Sequence, residues 1–193
     1  LNNVYFYNAA NVAQWYADID EAIAGFVSAN GKGMIYASNQ VAYGDALIVG
    51  PTLNLTGLVF LDYDAAESAK YGAAAFDNYN SENWAQITKT VTINDMPNFT
   101  LAGFKIAVDD ANPAVKIDND NGATGTLTLS YLDISNTTGT GLEIAEQTGT
   151  INITAVKSTS AGGNGATIGT DNAINGKINI TNSGFNKSAS RGL

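Results

Sequence analysis

The sequence predicts an all-β chain wound as a parallel β-helix, a solenoid of about five to six coils whose front is closed by an α-helix. Three observations carry that expectation. A short apolar frame recurs along the chain, and its spacing changes by a few residues from copy to copy. Asn, Thr, Ser and Gly also supply 73 of the 193 residues, while Asp, Glu, Lys and Arg together supply 14%.

The frame can be aligned by eye. Phe99-Thr-Leu101-Ala-Gly-Phe104-Lys-Ile106 matches Leu127-Thr-Leu129-Ser-Tyr-Leu132-Asp-Ile134, Ile151-Asn-Ile153-Thr-Ala-Val156-Lys-Ser158 and Ile178-Asn-Ile180-Thr-Asn-Ser183-Gly-Phe185. An earlier copy is Leu53-Asn-Leu55-Thr-Gly-Leu58-Val-Phe60. About 15 residues into a copy a further apolar stretch appears, at Val115 to Ile117, Leu142 to Ile144, Ala166 to Ile168 and Leu193. Period-2 alternation in short segments means strands with one face turned inward. The copies from Phe99 onward start 28, 24 and 27 residues apart. A helix could not absorb those changes without rotating its apolar stripe, whereas a coil with loops at its corners can. A sandwich of hairpins would need turn dipeptides between antiparallel strands and would not keep one frame over five copies.

The front of the chain reads as a cap. Residues 18–29 place Ile19, Ala22, Ile23, Phe26 and Val27 at helical spacing, with Asp18 or Asp20 to cap the start and Gly31 and Gly33 beyond the end. This helix is expected to cover the open end of the solenoid, where unpaired strand edges invite association. Val4–Tyr7 is expected to form a strand beside the first coil, and Trp15 and Tyr16 to pack under the helix. The domain plan is a single unit over 1–193: a cap at 1–33, a first coil at 34–61, an insertion at 62–90 and regular coils at 91–193.

The segments Asp18-Ile-Asp-Glu-Ala-Ile-Ala-Gly-Phe26, Gly33-Met-Ile-Tyr-Ala37, Ala46-Leu-Ile-Val49 and Leu53-Asn-Leu-Thr-Gly57 resemble the opening of the pectin-lyase-like right-handed parallel β-helix superfamily. The resemblance implies right-handed coils. It also spans pectate lyases, polygalacturonases, phage tailspikes, adhesins and surface proteins, so it does not fix an activity.

Composition narrows the chemistry. The chain has no His and no Cys, and its single Arg is Arg191. Imidazole and thiolate ligands for zinc, copper or haem are therefore missing, as are Ser-His and Cys-His nucleophile pairs. A net charge of −9 argues against a nucleic-acid footprint. No apolar run is long enough for a membrane span. Residues 1–98 hold 14 of the 18 aromatics and ten of the 18 acids. The insertion concentrates them, and Tyr63, Tyr71, Phe76, Tyr79 and Trp84 are its candidate carbohydrate-binding residues. Aromatic faces beside carboxylates suit sugar stacking and hydroxyl recognition, and the competing reading is that these rings pack on the solenoid wall.

The remaining constellations are weaker. Asp118-Asn-Asp120-Asn-Gly122 has the alternating oxygen ligands and Gly turn of a calcium loop but lacks the distal Glu of an EF-hand. Calcium at Asp118 and Asp120 is the one cofactor considered, and otherwise none is expected. Position +6 of the frame reads Lys105, Asp133 and Lys157, an outward ladder of alternating charge. Positions +1 and +3 give outward files of Asn and Thr, which could also order water, as in ice-binding solenoids.

The expectation is a non-catalytic β-helical segment of a secreted or cell-surface protein, structural or adhesive in a coat, a fibre or glycan and host attachment. Its candidate partners are polysaccharide, a host or cell-surface component, and a second copy docked on the uncapped last coil. The chain opens at Leu1 and closes at a third-strand position, which leads to the expectation that it is part of a longer one. The alternative is a carbohydrate-active enzyme, a polysaccharide lyase or glycoside hydrolase, or its binding part, for which the candidate acids are Asp109 and Asp110, Asp118 and Asp120, and Asp133.

Overall fold

The computed structural model describes residues 3–50, 55–60, 84–119, 125–169 and 175–187. Its elements are β1 (Val4–Tyr7), β2 (Ala13–Tyr16), α1 (Ile19–Ser28), β3 (Gly33–Ala37), β4 (Ala42–Tyr43), β5 (Leu47–Val49), β6 (Leu55–Phe60), β7 (Ala85–Ile87) and β8 (Val91–Asn94). The regular part follows as β9 (Phe99–Val108), β10 (Val115–Asn119), β11 (Thr126–Asn136), β12 (Leu142–Gln147), β13 (Thr150–Ser160), β14 (Ala166–Ile168), β15 (Lys177–Thr181) and β16 (Gly184–Lys187).

The strands stack in parallel as a β-solenoid. One sheet follows the order β15-β13-β11-β9-β6-β3-β1-β2, and a second runs β14-β12-β10-β8-β5. Within them Phe99, Leu127, Ile151 and Ile178 stand in register, as do Leu101, Leu129, Ile153 and Ile180. Val91, Val115, Leu142 and Ala166 form a facing file. Each inward file runs along the axis, so every coil buries its apolar face on its neighbours rather than on itself. The frame from Phe99 onward is thus the register of the sheets.

The solenoid has about four turns rather than five to six. The earliest frame is interrupted between β6 and β7, and the third-strand position of the last, Leu193, lies outside the described residues. Counting frames therefore overstates complete turns. The earliest frame is also displaced. Leu58 pairs with Leu101 and Gly57 with Thr100, three residues from the alignment that puts Leu55 there. A register shift between Gly33 and Met34 on the β3 side puts an extra residue, Thr56, into β6.

Each long strand is two short ones meeting at a left-handed residue. Gly103, Tyr131, Ala155 and Asn182 all have φ between 49° and 80°, and all lie at +4 of the frame. In the second coil the two halves come from separate segments. β6 pairs with the first half of β9, and β7 pairs with the second half through Ala85 to Phe104 and Ile87 to Ile106. Residues 61–84 lie between those segments, and β7 already belongs to the coil.

At the front, β1 pairs antiparallel with β3 and with β2. Val4 and Phe6 face inward and are fully buried. Helix α1 starts at Asp18, whose Oδ1 accepts from the Ile19 N–H at 2.7 Å, and it buries Ile19, Ala22 and Phe26. Tyr16 packs on the helix and stacks on Phe6 with ring centroids 5.6 Å apart. Trp15 does not pack under the helix: it alternates to the other face, is 47% exposed and lies against Tyr5 with centroids 4.7 Å apart.

A Cβ on Gly25 would come within 2.1 Å of Tyr16 Oη and 2.2 Å of its Cζ. Gly25→Ala is therefore expected to destabilise by about 1–3 kcal/mol despite alanine's better helix propensity, because the Tyr16 ring must leave Phe6. Urea denaturation measures this, and an unchanged or higher midpoint would contradict it.

Candidate functional site

The second halves of β9, β11 and β13 form a flank of the solenoid. Their outward residues Ala107, Ser135 and Thr159 are in register, and Thr88 follows the β7 residue that pairs with Ile106. Beyond these strands the chain turns at corners 109–114 and 137–141. Between flank and corners lies a concavity of about 400 Å³, lined among others by Thr88, Lys89, Asp109, Asp110, Ser135 and Thr137. A hollow of about 230 Å³ adjoins it, sharing Ser135 and Thr137 and adding Thr159 and Ser160. Together they make a furrow that crosses successive coils.

Asn136 sets the shape of its corner. It is 2% exposed. Its Oδ1 accepts from the N–H groups of Asp110, Thr138 and Gly139, at 3.3, 3.1 and 3.1 Å. Its Nδ2 donates to the carbonyls of Asn112 and Thr140, at 2.8 and 3.0 Å. One amide thus ties its own corner to the corner one coil below. Ser160, in register with Asn136, donates to the Gly139 carbonyl at 2.6 Å and accepts from the Gly163 N–H at 2.8 Å.

Above this anchor, the hydroxyls of Thr137 and Thr138 both donate to Asp109 Oδ1. Those two hydrogen bonds hold the Asp109 carboxyl below the usual carboxylate range. A general acid needs the opposite shift, so Asp109 suits accepting hydrogen bonds rather than delivering protons. Asp110 Oδ1 accepts from the backbone N–H and side-chain amide of Asn112, at 2.8 and 2.9 Å.

Of the residues singled out in the sequence, Asp109 and Asp110 line the furrow, and Trp84 and Asp118 do not. Tyr63, Tyr71, Phe76, Tyr79 and Asp120 lie outside the described residues. Trp84 is 5% exposed and belongs to the hydrophobic core. Asp118 sits on β10 rather than at a corner and pairs with Lys116 at 3.0 Å. The +6 file is in register as expected, with Lys157 Nζ 3.9 Å from Asp133 Oδ1. In the +1 file Asn179 Nδ2 donates to Asn152 Oδ1 at 2.8 Å, so these amides hold adjacent coils together. Among the described residues the side chains that could hold a metal are Asp18, Asp20 and Asp45, whose nearest carboxylate oxygens lie within 4.8 Å of one another. Partial burial and the neighbouring charges of Asp20, Asp45 and Glu21 push the Asp18 carboxyl up.

Fold and furrow together define a parallel β-solenoid with a polar flank. Compared with family models, with curated proteins and with solved structures, the chain has no match in any of the three.

Proposed function

We propose that the chain is a non-catalytic solenoid segment of a secreted or cell-surface protein, structural or adhesive in role, and of the surface-protein type within the pectin-lyase-like right-handed β-helices. The observation that carries this reading is the outer face of the long sheet. Thr100, Thr128, Asn152 and Asn179 make one file across it; in the neighbouring file Ala102 and Ser130 are buried, while Thr154 and Thr181 are at least partly exposed. Cleavage of a glycosidic bond needs ionisable groups converging on one point with pKa values pushed apart. The first file instead repeats a neutral polar side chain at each coil from β9 to β15, which suits a rigid surface that touches a partner at equivalent points.

Incubation with pectin, polygalacturonate, alginate, xylan and mannan tests the reading. No release of reducing or unsaturated ends is expected from any of them. Release from even one, abolished by substituting Asp109 or Asp118, would replace the structural reading with an enzymatic one.

A further inference from the structure

We propose that the flank furrow is a binding site for an uncharged polysaccharide laid along the solenoid axis, held through its hydroxyls by Asp109, Lys89 and the Ser/Thr files. This deepens the adhesive reading above by giving it a ligand class and a site. The first argument is the direction of the hydrogen bonds. Thr137, which lines the furrow, and Thr138 beside it have both committed their hydroxyl hydrogens to Asp109 Oδ1, so Thr137 turns only lone pairs toward a ligand. Asp109 Oδ2 adds a further acceptor. A ligand for this wall must therefore bring donors, which a sugar hydroxyl does and a sulfate, phosphate or uronate carboxylate does not.

Charge gives the second argument. Asp109 and Asp110 line the furrow with one cation, Lys89, so a polyanion meets net repulsion while a lone cation meets the Lys89 ammonium. A neutral diol fits both charges, donating to the carboxylate and accepting from the ammonium. The third argument is repetition. Ser135 and Thr159 follow Ala107 at one coil each, about 4.8 Å per step. A polymer of regular rings can meet one such hydroxyl after another, and many weak contacts then add as they do in other multivalent binding.

The test is an NMR titration of the whole chain with cellohexaose, xylohexaose, mannohexaose and laminarihexaose, with hexagalacturonate as the anionic counterpart. At least one neutral oligosaccharide is expected to shift amides of residues 88–89, 107–110, 135–138 and 159–161, with a Kd on the order of 0.1–1 mM. Thr137→Val with Thr138→Val is expected to weaken it about tenfold. Asp109→Asn should weaken the neutral ligand and improve hexagalacturonate. Ser135→Lys fills the furrow from an outward position and should abolish binding in a protein whose melting temperature is that of the parent. The proposal is overturned if no neutral oligosaccharide perturbs these amides at about 10 mM, if hexagalacturonate binds more tightly than all of them, or if Ser135→Lys binds unchanged. None of those outcomes releases reducing ends, so failure here leaves the structural reading of the chain standing.

Discussion

Asn136→Ala is expected to lower stability by about 3 kcal/mol, a large loss for a change that removes no apolar contact. The amide fills its own hydrogen-bonding capacity with five backbone groups, and alanine leaves four of them to find new partners, while the Thr140 carbonyl still accepts from the Ala114 N–H at 2.9 Å. A buried group left unsatisfied costs about 1–3 kcal/mol. Four of these bonds are only partly buried and one, to the Gly139 N–H, is buried. Water can reach the former, which keeps the expected loss well short of four full penalties. Asn136→Ser should cost less, because Ser160 already serves the next corner with one donor and one acceptor bond. Urea denaturation gives both values. An alanine variant within about 1 kcal/mol of the parent would mean that the corners hold their shape without the amide.

The corners are also where the sequence was hardest to read. Strand frames show because a core running the length of the solenoid demands an aliphatic residue at the same position of every coil. Phe99, Leu127, Ile151 and Ile178 keep that rule and their register agrees with it. The bend at +4 has no such chemistry in common. Gly103, Tyr131, Ala155 and Asn182 share a positive φ but no side-chain type, because coil stacking imposes the conformation on residues that do not all prefer it. The displaced frame at β6 has a similar origin. Leu53-Asn-Leu55-Thr-Gly57 imitates the repeat, yet it is Leu58 that pairs with Leu101.

The furrow is legible only in part: Asp109 and Asp110 stand out as adjacent acids, but not the hydroxyls that meet them. Asp109 and Thr137 are 28 positions apart in sequence and meet because their coils are stacked. The +8 residues Ala107, Ser135 and Thr159 were available as a signal in the same frame that exposed the +6 ladder. Aromatic content pointed instead to the insertion. Trp84, the one described member of that group, joins the core where the chain re-enters the second coil. Trp15 misled in the opposite direction: β-strand alternation sends it outward while its neighbour Tyr16 goes under the helix.

The largest loss of all is expected at the junction of the second and third coils. Phe104 is fully buried and stacks in register on Ala85 below and Leu132 above. Ala85 is small, so Phe104 supplies most of the apolar volume of that file at this junction. Phe104→Ala would put two alanines in succession in that file and leave a void in a core that cannot collapse without drawing two coils together. Such substitutions cost about 3–5 kcal/mol, whereas Phe104→Leu, which keeps most of the volume, should cost under about 1.5 kcal/mol. The form of the transition matters as much as its midpoint. In a stacked repeat each coil holds only its neighbours, so weakening one junction weakens the coupling between the parts on either side. The cap, the hairpin and the first two coils lie on one side, and the regular coils from β9 onward lie on the other. Phe104→Ala should therefore broaden or split the urea transition, and hydrogen exchange should rise first in β6, β7 and β9 while β11 and β13 stay protected. A single sharp transition with a loss below about 1 kcal/mol would show that the two parts are held together by something other than this file.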